Sequence, residues 1–384
     1  MKRIFIVILL VMYHCLSIAQ ESSKNLDFSA IYQHFVVMEQ LQSGKEPTTN
    51  QWADLFDTPA YKTLLDNEFR KPIRFQEVFR AAYLPGYTKD INEILSKIDL
   101  KGAWWTSWVT SLLEAYENVP KQKTQLLDLI NAYKRLDLSE FAIKESARFL
   151  SDEKFEGFPK VAFLIFNDSR GYDPIILSLN SFLKADDARD NNALDCMVNK
   201  GFNEHFSFQL LYAHEAFHYY RNKKEEFRFP DDNDPYSSLI WIMNQIANEG
   251  IADQIDKVNQ YFNPGCFADT REGEQYLNYL AMQPELIKRL DSLFVEIKNY
   301  PDSSQILSRK FSKMIPRSGH QTGFYMCNTI IEEFGVQSIR TVSRNPFSFF
   351  KLYQKAALKN EKYPVFSKDA IACIEILEEK FSLE

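Results

Sequence analysis

Apolar positions in this chain recur mainly three and four residues apart, which predicts helices over most of its length. From Gln20 to about Leu150 the helical pattern is continuous. Thr58-Pro59 reads as an N-cap and first-turn proline ahead of a helix over Ala60 to Arg70, and Pro120 as the opening of another, with Leu126, Leu129, Ile130 and Tyr133 as its apolar face. The pattern breaks at Ser151 to Pro159. Beyond it, Val161 to Phe166 and Ile175 to Leu179 are short apolar runs separated by the turn residues Asn167-Asp168-Ser169-Arg170-Gly171, and they read as two strands joined by a tight loop. Helical spacing then returns over 203–226 and 238–261, and again after Asn263-Pro264-Gly265 nearly to the C-terminus. The fold class expected is mainly α (α+β), with a helical N-terminal region over 20–150 and a second domain over 151–384 that contains the small sheet.

Two of the helical stripes carry chemistry. In the first, Ser207, Leu211, His214 and His218 follow a 4, 3, 4 spacing, within the H-E-x-x-H pattern His214-Glu215-Ala216-Phe217-His218. Residues four apart stand one above the other on a helix, so both imidazoles can reach one ion. In the second, Ile242, Ile246, Glu249 and Asp253 repeat the same spacing. A carboxylate continuing an apolar stripe is costly unless it meets a cation or a donor, and two histidines on one ion need a third ligand. Glu249 answers both needs.

These residues resemble the gluzincin metallopeptidases, in which H-E-x-x-H lies on one helix and a glutamate ligand on a second, often with Asp four residues further on. Closer still are secreted bacterial families of zinc-dependent peptidases. The chain departs from the metzincin pattern, since Arg221 and Lys224 stand where Gly and a third His would be. The resemblance implies a zincin-like catalytic core and Zn2+ held by His214, His218 and Glu249, with Glu215 as general base. It gives Asp253 the outer nitrogen of a ligand histidine. Zincin folds also pair the edge strand of their sheet with the bound peptide, which would fall at Ile175 to Leu179; an ordinary structural hairpin is the alternative. Finally, Gly319-His320-Gln321-Thr322-Gly323-Phe324-Tyr325 resembles the segment that closes the active site in those families. There His320 and Tyr325 would stabilise the tetrahedral intermediate, and Gly323 would let the helix approach closely; a surface or cap histidine and a core tyrosine are the alternatives.

Composition narrows the partners. A chain that is 45% hydrophobic and 14% aromatic buries a core, and its net formal charge of −7 argues against a nucleic-acid surface or attraction to anionic membranes. Lys2-Arg3, the apolar run Ile4 to Met12 and Ser17-Ile18-Ala19 read as an export signal over 1–19, removed before folding, which leaves no stable membrane insertion and a periplasmic or extracellular protein. Cys196, Cys266, Cys327 and Cys373 are widely spaced. Export permits disulfides among them, though a chain of this size does not require any. Trp104, Trp105 and Trp108 suit a contact between helices, with stacking on a ligand as the alternative, and the acidic loop Asp231-Asp232-Asn233-Asp234 reads as a turn before the next helix. The expected activity is hydrolysis of peptides or proteins. A zinc hydrolase of a non-peptide amide or ester is a second reading. A catalytically inactive metal-binding interaction protein is a third, disfavoured by an intact Glu215.

Overall fold

The structure, a computed structural model, describes residues 25–383 except 70, 137, 152–154, 156–158, 184–187, 203, 204 and 232; the expected leader over 1–19 lies outside the described residues. The fold is mainly α with one small sheet, as the spacing predicts. The chain divides into two compact units, the first comprising the residues up to Glu140 together with Glu156–Lys184, the second Phe141–Phe155 together with Ala185–Glu384. Among the described residues no helix is long and apolar enough to cross a membrane.

The first unit holds the sheet, and the histidine motif lies in the second. Strands β1 (Leu26–Asp27), β2 (Val161–Leu164) and β3 (Ile175–Ser178) lie in that order, and both pairings are parallel. Val161 faces Leu26 on one side and Ile175 on the other. A tight hairpin loop cannot join parallel neighbours, so the turn chemistry at 167–171 serves a wider return instead. Every residue of β2 and β3 is buried, which is why both runs are continuously apolar. The outer edge of β3 is also occupied: Ile176 exchanges two backbone hydrogen bonds with Arg170, at 2.8 and 2.9 Å. An added peptide strand would have to displace that pairing, so Ile175 to Leu179 does not offer the free edge expected of it.

Pro120 does not open a helix. It lies inside a single 31-residue helix, Ala103–Tyr133. Proline cannot donate to the carbonyl four residues earlier, here that of Tyr116, and such a gap ordinarily kinks a helix. The Tyr83 hydroxyl fills it, donating to the Tyr116 carbonyl at 2.7 Å. On the same helix Trp108 is buried against Phe69 and Phe75 and Trp105 lies under the Arg74 guanidinium, so these two pack between elements, while Trp104 is exposed.

The second unit is built around helix Ser237–Lys257, the glutamate helix. Leu239, Ile240, Ile242, Met243, Ile246, Ala247, Ile251, Ala252 and Ile255 are buried on nearly all its sides, which makes it a core helix. Helix Phe206–Asn222, the histidine helix, and helix His320–Phe334, the closing helix, pack against it. The closing helix comes close because both partners have glycine at the crossing. A Cβ on Gly250 would stand 2.0 Å from the Gly323 carbonyl carbon, and one on Gly323 would stand 1.8 Å from the Ile246 oxygen. No other residue fits either position. Cys196 and Cys266 form a disulfide, while Cys327 and Cys373 are buried thiols. In the acidic loop, Asp234 accepts from the Tyr236 backbone N–H at 2.8 Å and meets Lys380 at 3.0 Å, a turn ahead of the glutamate helix.

Candidate metal centre

The histidine helix buries His214, Glu215 and His218 together, and the glutamate helix presents Glu249 to them. His214 Nε2 lies 3.5 Å from Glu249 Oε2, and His218 Nε2 lies 3.2 Å from the same oxygen. The three ligand atoms all fall within 4.8 Å of one another. Donors about 2.1 Å from a tetrahedral zinc ion stand about 3.4 Å apart, so this set matches the edges of such a site. Two imidazoles and one carboxylate also leave a fourth position open, the arrangement of catalytic rather than structural zinc.

The outer nitrogens are held as well. His218 Nδ1 is 2.9 Å from Asn248 Oδ1, and His214 Nδ1 is 3.2 Å from Asp256 Oδ1. Each contact directs Nδ1–H to an oxygen and leaves Nε2 for the ion. Asp256 is shared with Lys257, whose ammonium lies 2.9 Å from Oδ2. Asp253 does not take the role expected for it. Its Oδ1 is 3.9 Å from His214 Nδ1, too far for a hydrogen bond, and 3.0 Å from His320 Nδ1 instead.

His320, at the start of the closing helix, reaches the cluster. Its Nε2 is 3.4 Å from Glu249 Oε2, and its ring lies nearly parallel to that of His214 with centroids 6.1 Å apart. Tyr325 does not. Five residues along a helix turn the chain by about 140° from His320, and the Tyr325 ring packs edge-on against Tyr363. Of these two candidate donors, one of which is expected to reach the cleft, the structure brings His320 to the cluster and packs Tyr325 elsewhere.

Charge around these groups is lopsided. Burial by itself would strip protons from His214 and His320, yet Asp256, Glu249 and Glu215 hold His214 well above the ordinary histidine range, and Asp253 and Glu249 raise His320 to about 9. Burial would likewise raise Glu249, but His218 and His320 hold its carboxyl well below the usual range. Carboxylates that draw protons onto buried imidazoles will stabilise a divalent cation in their place, with release of those protons.

Asp256, Asn248 and Tyr276, whose hydroxyl donates to Asp253 Oδ2 at 2.8 Å, were not anticipated. A signal existed for Asp256, because 249, 253, 256 continues the 4, 3 spacing of the stripe by one further step. Asn248 directly precedes Glu249. Tyr276 carries no local signal, since it belongs to a separate helix, Arg271–Ala281.

No curated protein and no solved structure matches the chain. A family model described as putative zinc dependent peptidase (DUF5700) matches residues 52–362, most of the sequence, including both metal-facing helices and His320. Zn2+ is the cofactor that this family implies, and the two imidazoles and carboxylate found here fit it. The chain belongs to this zinc-dependent peptidase family.

Proposed function

We propose that the protein is a gluzincin-type metallopeptidase that hydrolyses peptide bonds in peptide or protein substrates. The observation that carries this reading is the convergence of His214 Nε2 and His218 Nε2 on one oxygen of Glu249, with buried Glu215 on the same helix between them. When bound, zinc supplies a Lewis acid for the scissile carbonyl and lowers the pKa of a water from about 15.7 towards about 7. Glu215 takes the proton of the attacking water and later delivers it to the leaving amine. His320 contributes a hydrogen bond from Nε2 to the oxygen that gains charge as the carbonyl becomes tetrahedral. Tyr325 has no part in this scheme.

Export belongs to the same proposal. Its supports are the basic start, apolar run and small-residue end of segment 1–19, together with a disulfide between Cys196 and Cys266, which an oxidising compartment maintains.

The test is Glu215→Gln, measured beside wild type by metal analysis and by digestion of a peptide library. The amide fills the same space and cannot accept a proton. Zinc content should stay at one ion per chain while cleavage falls by about a hundred- to ten-thousandfold. Cleavage near the wild-type rate would assign the base elsewhere, and a zinc-loaded wild type that cleaves esters or non-peptide amides but no peptide would overturn the peptidase reading.

A further inference from the structure

We infer that Tyr276 and Asp253 form a buried support that holds His320 against the metal centre, which makes Tyr276 a positioning residue for the hydrolysis proposed above. The inference rests on that reading. Asp253 is fully buried and uses its two oxygens separately: Oδ2 accepts from the Tyr276 hydroxyl at 2.8 Å, and Oδ1 meets His320 Nδ1 at 3.0 Å. The ligand histidine His214 has its own acceptor in Asp256, so Asp253 is not needed there. A carboxylate buried this deeply is tolerable only when donors satisfy it, and these two donors come from two separate helices that both follow the glutamate helix in sequence.

The arrangement fixes an otherwise free ring. His320 is the most exposed of the clustered histidines, its side chain 29% accessible, and its two side-chain torsions would let it turn outward. The contact to Asp253 sets the ring plane and leaves Nε2 3.4 Å from Glu249 Oε2. Asp253 is in turn kept from rotating by Tyr276, whose ring is itself locked between Tyr261, with centroids 4.9 Å apart, and Phe324, at 5.9 Å. Phe324 stands one helical turn beyond His320. Tyr276 thus grips the closing helix by its ring and the carboxylate by its hydroxyl.

Tyr276→Phe removes the hydroxyl and keeps the packing. Turnover of the zinc-loaded enzyme on a peptide found in the library digest should fall about tenfold, with KM and zinc content unchanged. In a His320→Ala background the same substitution should cost nothing further, because a residue acting through His320 has no effect once that ring is gone. Wild-type turnover in Tyr276→Phe, or an equal tenfold loss in both backgrounds, overturns the inference. A second readout does not depend on activity. In the zinc-free chain the His320 ring nitrogen resonances should shift in Tyr276→Phe, reporting a loosened Nδ1 contact. If the wild type cleaves no peptide, the peptidase reading fails, and an unshifted His320 ring signal would then overturn the support on its own.

Discussion

Two regions of this molecule pack histidines among other side chains and treat them in opposite ways. In the first unit, His34 is fully buried among Phe79, Tyr83 and Tyr116, and burial lowers its pKa to about 3. Its Nε2 lies 2.8 Å from the Tyr83 hydroxyl, which spends its own proton on the Tyr116 carbonyl that Pro120 leaves unpaired. Nε2 must therefore be the donor, and His34 is a neutral core residue completing the repair of a proline-interrupted helix. In the second unit, His214 and His320 are raised although burial opposes it, because Asp256, Glu249 and Asp253 face them. Burial alone makes a histidine inert. Burial with carboxylates makes a place for a cation.

Removing the central carboxylate breaks the comparison most directly. Glu249→Ala should take the second region towards the first, weakening zinc binding by about 3 kcal/mol or more, a factor on the order of a hundred to a thousand, given that structural zinc sites of four ligands bind with roughly 10 to 16 kcal/mol. Metal analysis after dialysis against a weak chelator reads this out. Full occupancy in the variant would mean that Glu249 is not a ligand.

The next effect separates two neighbouring acids. Asp256→Ala removes the oxygen that orients His214 and should weaken zinc binding by about ten- to a hundredfold, while Asp253→Asn should change it far less, because Asp253 bonds His320. Competitive chelator titration distinguishes them. Equal losses would show that the two carboxylates act on the metal ligands as one unit.

The last effect belongs to His34 and falls on stability rather than on metal binding. Its folded pKa of about 3 lies below the ordinary 6.5, so as pH falls the unfolded chain takes up a proton that the folded chain refuses. The stability is fully present above pH 6.5 and is lost towards pH 3, at up to about 1.4 kcal/mol per pH unit. Chemical unfolding of the zinc-free chain between pH 6.5 and 4 should be less steep in pH for His34→Gln than for wild type. Identical slopes would show that His34 does not stay neutral in the fold.

Much of the candidate site was legible because helix periodicity is local. The histidine helix, expected over 203–226, is found at Phe206–Asn222, and the glutamate helix, expected over 238–261, at Ser237–Lys257 with one wider turn, Val258–Phe262, after it. Gly323 meets the glutamate helix as its lack of a side chain suggested. Where the reading failed, a distant partner had changed the local rule. Pro120 would end a helix in isolation, but Tyr83 satisfies the carbonyl it frees. The runs 161–166 and 175–179 have strand composition whether they pair parallel or antiparallel, and only the pairing shows which. Tyr325 shares a helix with His320 but faces another neighbour.

By itself the sequence determined that His214 and His218 share one helical face, that Glu249 is an acid in an apolar stripe, and that Glu215 lies between the histidines, because 3.6 residues per turn governs each of these within a few residues. Only the tertiary structure decided which oxygen serves which imidazole: Asn248 for His218, Asp256 for His214 and Asp253 for His320, across 30, 42 and 67 residues. A hydrogen bond is made or lost within about half an ångström. Neighbouring acids on one stripe differ in height by several ångströms, so the choice between Asp253 and Asp256 follows from how the helices cross, and the crossing that brings His320 to Asp253 is set where Gly250 and Gly323 bring two backbones into contact.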